Sequence, residues 1–526
     1  MIVFSTTLIA NMLEGIGSFR VHFFGNREAV YDYDNQAHYT YKDMAVRSDR
    51  LGGFLLEELR LTKGDRVAFV SENAIPFLDC FFMSYCSGIV MVTYNFLLGK
   101  SNLAQMVGRE EPRVIFYSER CRELIEDLRE THPEIEFISI IGKRDARDRY
   151  DYDDIMDYRS SEDLEYDAPG FEDIQMLIHT GGTTGEPKAA MLSYRALFFN
   201  MISQILTCEI TSKDSALVVL PFFHTAGWNI SMMPTLLTGG RVIITTTFDS
   251  EKTLRIIREE KPTLMLGVET IYLALAAHSD FSRTDFSSFR WLVSGAAPIK
   301  KRTLQRYWEK GVWLLNGYGM TEIGPSNMTQ PIYEMTPEQI RKKWNSVGKP
   351  MFFNNVRIVD DDGVDVPTGE SGELLFRGWL TFSGYWRSDE QTEDIVRDGW
   401  VYTGDIARKD KDGFYYIIGR RKNVYISGGE NIYPAEIESV IDRHPDVAIV
   451  CVIGVPDEDW GEVGKALIVL KPNRTVSKEE IRQFATERLP CIKVPRYVSF
   501  IEELPKNSID KVDLQIVNQL YRNTGE

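Results

Sequence analysis

Three apolar runs, residues 67–70, 75–86 and 89–93, follow one another with only short polar or glycine breaks between them. The first and third have strand length and the second has helix length. A strand, a helix and a second strand at this spacing form a β-α-β unit. Strands joined through a helix lie parallel, and a parallel sheet needs cover on both faces. The pattern recurs, with strands expected at 215–220 and 242–246 and an amphipathic helix at 250–260. Thr336-Pro337-Glu338-Gln339 is a capping box with proline at the first helical position, which predicts a helix to about Trp344. A chain of 526 residues has room for roughly three such structural units.

The texture changes twice further on. Residues 355–419 carry β signals, with Asp362-Gly363 and Asp412-Gly413 as hairpin turns between alternating runs. After the basic run 420–422, a helix is expected at 435–443, strands at 448–455 and 466–470, a helix capped by Ser477, and a strand at 497–501. That is a compact α+β module of about a hundred residues, enough for a separate domain.

Composition removes several classes of function. The net charge of −17 argues against nucleic acid or an anionic membrane surface as the main partner. An anionic ligand must therefore be held by local cations. Six cysteines are scattered without a Cys-x-x-Cys pair, as expected of reduced thiols in a cytoplasmic protein. The most apolar stretch, 75–92, is broken by Asp79, Ser84, Ser87 and Gly88, and makes a poor membrane span. Residues 1–10 are apolar but lack an early Lys or Arg, so they read as a docking segment rather than a signal peptide.

The chemistry begins at His179-Thr180-Gly181-Gly182-Thr183-Thr184-Gly185-Glu186-Pro187-Lys188-Ala189. Small residues let backbone N–H groups approach an oxyanion, hydroxyls add donors, and lysine adds charge. This is the composition of a phosphate-binding loop, although a turn between strands has the same letters. It is not a Walker loop, because Pro187 precedes the lysine and 189–192 reads as a strand. His224 stands at the end of an apolar strand in Phe222-Phe223-His224-Thr225. Ser294-Gly295-Ala296-Ala297-Pro298 is a small-residue turn on which a flat ligand can lie. Asn316-Gly317-Tyr318-Gly319-Met320-Thr321-Glu322 brings an aromatic face, a hydroxyl and a carboxylate, the last able to ligate magnesium. Tyr402-Thr403-Gly404-Asp405 ends a strand with an acid suited to ribose hydroxyls. Taken alone, each of these four motifs reads as structural: a packing histidine, a turn or a cap.

Their order resembles the adenylate-forming (ANL) superfamily, which includes acyl-CoA synthetases, peptide-synthetase adenylation domains and beetle luciferases. The glycine loop resembles that family's Thr-Ser-Gly-Thr-Thr-Gly-x-Pro-Lys-Gly, and Tyr318 to Glu322 resembles its Tyr-Gly-x-Thr-Glu. Asp405 matches its strand-end aspartate. Gly419-Arg420 with Gly429-Glu430-Asn431-Ile432-Tyr433-Pro434 resembles its hinge and following loop, and Leu504 to Lys511 its C-terminal lysine motif.

The resemblance implies an α/β protein. A large N-terminal domain of layered β-sheets with helices and a small β-barrel-like subdomain, residues 1–420, precedes a small mobile α+β domain, 421–526. It implies that ATP and a small carboxylic acid give an acyl-adenylate and pyrophosphate, and that a thiol, usually coenzyme A, then takes the acyl group. In that scheme Lys511 is the cation beside the reacting carboxylate and α-phosphate. Glu322 and Thr183 hold magnesium. Thr180, Gly181, Gly182, Thr183, Thr184, Gly185 and Lys188 cradle the phosphates. Tyr318 stacks on adenine against Gly295, Ala296 and Ala297, with Asn316, Gly319 and Thr321 beside it. Asp405 and Arg420 hold the ribose. Lys422 matches the hinge residue, and Gly428 and Gly429 line the thiol tunnel. The candidate catalytic set is Lys511, Glu322, Thr183, Lys188 and His224.

Some positions depart from the pattern. Gly181 replaces a serine, Ala189 a glycine, Glu269 a common proline, Asn423 an aspartate, and Asp510 a glycine beside Lys511. Two alternatives accompany the ligase reading: a free-standing enzyme loading a carrier protein, and a nucleotide-binding relative without catalysis. A homodimer is compatible with either. Gly319 stands where a tryptophan closes the pocket of acetate-type relatives, so an open pocket for medium or long aliphatic or aryl acids is expected. Trp228, Val268, Ser294 and Met320 are its candidate walls.

Overall fold

The computed structural model describes residues 22–160, 167–181, 187–297, 299–505 and 512–522. The chain divides into two compact units, one comprising Met1–Val356 and Phe376–Val401, the other Arg357–Leu375 and Tyr402–Glu526.

The larger unit is built on two sheets. One has six strands in the spatial order Glu136–Ile141, Val114–Ser118, Arg66–Val70, Val90–Thr93, Ile174–Gly181 and Pro187–Ser193. The first five are parallel and the last is antiparallel. The expected β-α-β unit lies at its centre. Its helix, Ile75–Ser87, begins with proline in the first turn and ends at Gly88, whose φ of 65° only glycine adopts without strain. The other sheet has nine strands in the order Lys349–Pro350, Gly324–Thr329, Leu314–Met320, Trp291–Ser294, Leu264–Gly267, Ser215–Val218, Arg241–Ile244, Glu28–Asp32 and Ala37–Thr40. Its strands from Leu314–Met320 to Glu28–Asp32 are parallel. Helix Ser250–Glu260 starts at Asp249, whose side chain accepts from Lys252 N–H. The helix after Thr336 runs Pro337–Lys342, two residues short of the expected end, and Gln330 Nε2 donates to the Lys343 carbonyl there.

A third sheet has Asn354–Val359, Ser371–Gly378, Trp400–Lys409 and Val396–Arg397 in order, and Trp400–Lys409 pairs antiparallel with both Val396–Arg397 and Tyr415–Arg420. Gly363 and Gly413 take positive φ at its expected Asp-Gly turns. The C-terminal sheet orders Glu430–Ile432, Tyr425–Ser427, Gly461–Leu470 and Val447–Asp457, with Tyr497–Phe500 parallel to Gly461–Leu470. Helices Pro434–Ile441 and Lys478–Thr486 share one buried core with this sheet, and Leu514–Tyr521 belongs to another. Among the described residues no helix is long and apolar enough to cross a membrane. The six cysteines are free thiols. Residues 1–10, read above as a docking segment, lie outside the described residues.

Candidate active site

The stems of the glycine loop form a hairpin in the six-stranded sheet. Thr180 pairs with Lys188, and Gly181 with Pro187. Gly182, Thr183, Thr184 and Gly185 lie outside the described residues. Among the described residues, a Cβ at Gly181 would meet nothing within 4 Å, so none of them excludes a serine there. Ala189 is buried mid-strand opposite His179, where glycine's extra freedom is not needed.

Glu322 gathers the described parts of the loop. It is buried in the turn Thr321–Ile323. Its Oε1 accepts from Tyr385 Oη at 2.7 Å and from Thr180 Oγ1 at 3.2 Å. Lys188 Nζ stands 5.0 Å from the centroid of the Tyr385 ring, in cation–π range. Burial and then the Glu322 charge hold the Tyr385 hydroxyl far above the usual phenol range, so it stays a donor. Tyr385 arrives because 383–386 runs along the strand Pro187–Ser193, with Ser383 N–H on the Met191 carbonyl and Trp386 N–H on that of Ala189. Both named hydrogen bonds fall on Oε1. A hard cation such as magnesium takes oxygen ligands and needs only one or two carboxylates besides substrate phosphates, so Glu322 fits that ion.

The small-residue turn follows Trp291–Ser294. Gly295 is half-buried, Ala296 and Ala297 are exposed, and Ala296 has φ 65°. An alanine in this region costs on the order of 1–3 kcal/mol, a strain typical of functional turns. Asn316 is buried and pairs with Ser294 across parallel strands. Tyr318 and Thr321 are half-buried, and the Tyr318 ring stacks on Phe376 at 6.1 Å. Gly319 has a cause beyond an open pocket: a Cβ there would meet the Pro325 carbonyl oxygen at 2.2 Å. Glu269, the departure from proline, anchors the far end of the turn. Its Oε1 accepts from Lys300 N–H at 2.8 Å and Thr303 Oγ1 at 2.9 Å, at the start of helix Lys301–Glu309.

His224 is half-buried and precedes the short helix Thr225–Asn229, its ring against Phe223 at 4.7 Å. Trp228 does not line an open wall. It is fully buried, stacked on Phe81, with its indole N–H donated to the Phe222 carbonyl. Ser294 is also fully buried, whereas Val268 and Met320 keep partial exposure.

In the smaller unit Asp405 and Arg420 are cross-strand partners, and Arg420 Nε donates to Asp405 Oδ1 at 2.7 Å. Arg420 Nη1 also reaches the Thr403 carbonyl at 3.1 Å. Lys422 is exposed in the turn Arg421–Asn423. Gly428 and Gly429, with φ of 55° and 86°, form the two-residue turn between Tyr425–Ser427 and Glu430–Ile432. Gly428 N–H donates to the Trp460 carbonyl, and a Cβ on Gly428 would strike the Trp460 ring at 2.6 Å. Lys511 lies outside the described residues.

A cavity of about 290 Å³ in this unit touches Arg420, Lys422, Glu438, Cys451 and Asn518. Glu438 accepts from Val452 N–H at 2.8 Å, yet burial dominates and pushes its carboxyl up to about 7. Between pH 4.5 and 7 the folded chain then keeps a proton that the unfolded chain has lost. Stability should therefore fall as pH rises through that window and level off above it, by at most about 3 kcal/mol and less where cavity water solvates the charge. Urea unfolding of the full chain at pH 5 and pH 8 measures this. Glu438→Gln should flatten the slope, and an unchanged slope in that variant would assign it to other groups.

Sequence reading missed Tyr385, because a tyrosine in a β-rich stretch looks like packing. It found both walls of the knot, Thr180 with Lys188 and Glu322, but not the residue joining them.

The AMP-binding enzyme family matches residues 20–386, and the AMP-binding enzyme C-terminal domain family matches 436–511. Feruloyl-CoA synthase of Amycolatopsis is 35% identical over 475 residues, covering 90% of this chain and 92% of that protein. Indoleacetate–CoA ligase of Aromatoleum aromaticum is 32% identical, covering 86% and 88%. Among solved structures, ATP-bound MatB from Rhodopseudomonas palustris superposes with a TM-score of 0.86 at 27% identity, over 97% of this chain and 99% of MatB. The first of these matches alone spans most of the chain, and the protein belongs to the AMP-binding enzymes.

Proposed function

We propose that this protein is an AMP-forming carboxylate–CoA ligase that activates an aryl or medium- to long-chain acid. The observation that carries the reading is the convergence of Thr180, Lys188 and Glu322 at Tyr385, on the stems of a phosphate-type loop. In the first half-reaction a carboxylate oxygen bonds to the α-phosphorus of ATP and the bond to pyrophosphate breaks. In the second a thiol sulfur loses its proton to solvent and bonds to the acyl carbon, the bond from that carbon to the phosphate oxygen breaks, and AMP leaves with the electron pair. Thr180 and Lys188, with the loop residues Gly181 to Gly185, hold the phosphates. Glu322 and Thr183 hold magnesium, which when bound neutralises charge on the phosphates. Tyr318, Asn316, Gly319, Thr321 and the 295–297 turn take adenine, and Asp405 with Arg420 takes ribose. Lys511 serves the first half-reaction. Lys422 is the hinge, and Gly428 and Gly429 face the thiol. His224 stands beside the acyl end.

Two relatives are named for acids that carry an aromatic ring, which favours an aryl acid here. Gly319 contributes no side chain to close the pocket. A carrier-protein thiol in place of CoA, a homodimer and a cytoplasmic setting are compatible with the same site. A panel of acids assayed with ATP, magnesium and CoA tests the reading. AMP and pyrophosphate should appear, and an aryl acid or one of six or more carbons should have a higher kcat/KM than acetate, each well-packed methylene adding roughly 0.8 kcal/mol. Formation of ADP in place of AMP would refute the reaction class. A preference for acetate would refute the open pocket.

A further inference from the structure

Beside the stems at His179 and Pro187 lies a buried charge cluster that none of these roles uses. Glu110 ends the helix Lys100–Glu110 and is fully buried. Its Oε1 accepts from Arg109 Nε at 2.9 Å and Nη2 at 2.7 Å. The same oxygen lies 3.2 Å from His179 Nε2. Arg109 spends its remaining nitrogen, Nη1, on the Pro187 carbonyl at 2.9 Å. His179 Nδ1 faces the Thr93 carbonyl at 3.3 Å, and its ring lies against Tyr94. Burial raises the Glu110 carboxyl, but the charges of His179 and Arg109 outweigh it and leave the group below the usual range, hence ionised.

Arg109 and His179 are not arbitrary neighbours. His179 immediately precedes Thr180 on one stem, and Pro187 immediately precedes Lys188 on the other. Thr180 and Lys188 face each other across the hairpin. A single carboxylate thus lies against both stems, 3.2 Å from His179 Nε2 on one and tied through Arg109 to the Pro187 carbonyl on the other. The fork of Arg109 fixes direction as well as distance, since a planar guanidinium bonded at three nitrogens has little freedom left.

We infer that Glu110 is a positioning residue for ATP binding: with Arg109 and His179 it braces the two stems that present Thr180 and Lys188. This rests on the reading of the loop as a phosphate site. Many buried ion pairs only support the fold. This protein contains such a pair as an internal control. Asp79, equally buried, accepts from Arg47 Nη2 and Tyr152 Oη, between the helices Tyr41–Gly53, Ile75–Ser87 and Tyr152–Asp157, and bonds no residue of the loop stems.

The experiment compares Glu110→Gln, Arg109→Lys, Asp79→Asn and Lys188→Ala in the full chain. It measures the Kd for α,β-methylene-ATP, the KM for the carboxylate and for CoA, and Tm. Glu110→Gln should raise the Kd of the ATP analogue on the order of 10- to 100-fold, as loss of an outer support does at other sites, with the other two constants unchanged. Arg109→Lys keeps the charge but loses the fork, and should shift the same constant in the same direction by less. Asp79→Asn should lower Tm without this selective change. If Lys188→Ala weakens the analogue while Glu110→Gln and Arg109→Lys do not, the brace is overturned and the loop reading stands. If Lys188→Ala leaves the analogue unaffected, the loop reading falls and the brace falls with it. Equal shifts in all three constants for Glu110→Gln would reduce it to a fold support. Should Glu110→Gln not fold, Arg109→Lys decides by the same criteria.

Discussion

Lys511→Ala is expected to slow acyl-adenylate formation on the order of 10²- to 10³-fold, the usual cost of losing one contact to charge that develops in a transition state. The same variant, supplied with preformed acyl-adenylate and CoA, should make thioester at close to the wild-type rate. The asymmetry follows from the charges. In the first half-reaction an anionic carboxylate approaches an anionic phosphate, and a cation between them lowers the barrier. In the second, a thiol attacks a neutral acyl carbon and AMP departs, so the same cation has much less to offset. The role proposed for Lys511 is supported by the resemblance of residues 504–511 to the C-terminal lysine motif, and the match to the family's C-terminal domain extends to residue 511. Single-turnover measurement of each half-reaction checks it. Equal slowing of both steps would remove the division of labour, and no slowing of either would make Lys511 a surface lysine.

The parts of the fold that were legible are those specified by neighbours in sequence. The β-α-β unit at 66–93 carries its own periodicity, its proline at the helix start and its glycine at the end, so local chemistry suffices. The loop stems could be read for the same reason. What stayed hidden depends on residues distant in sequence. Tyr385 reaches Glu322 across 63 positions, and Arg109 reaches Pro187 across 78. No pattern within a short window marks either side chain. Gly319 and Trp228 show a subtler limit. The expectation of an open pocket took Gly319 as an absence of bulk, but the Pro325 carbonyl alone forbids a Cβ there. Trp228, beside a histidine in a strand-end motif, looked like a pocket wall and is instead stacked inside the core. Sequence gives the identity of a residue at a motif position, while the direction of its side chain depends on which elements pack beside it. Glu269 makes the converse point. It stood out only as a departure from proline, and the structure gives it two hydrogen bonds that no proline could accept.

Glu322→Gln should lower adenylate formation on the order of 10²- to 10³-fold, comparable to the Lys511 variant but through a different contact. Glutamine keeps the shape of the side chain and an oxygen that can accept from Tyr385 and Thr180, so the knot at 2.7 Å and 3.2 Å is disturbed little. What it removes is the charge. A neutral amide oxygen is a poor ligand for a hard divalent cation, and the magnesium concentration giving half-maximal rate should rise with the loss of kcat. Glu322→Asp keeps the charge on a shorter arm and should recover part of the magnesium response while losing the Tyr385 bond. Tyr385→Phe separates the two functions of the carboxylate. It leaves the charge but deletes the hydroxyl that fixes Oε1, and it keeps the ring under Lys188. Its loss should be smaller, about tenfold, as for an outer-shell partner, with the magnesium requirement raised in the same direction. These three variants, titrated with magnesium at saturating ATP, distinguish a metal ligand from a structural carboxylate. If Glu322→Gln shows a lower rate at an unchanged magnesium requirement, the carboxylate acts on the loop through Thr180 and not on the metal. If it shows neither change, the convergence at Tyr385 is a packing arrangement and the phosphate site must be held elsewhere.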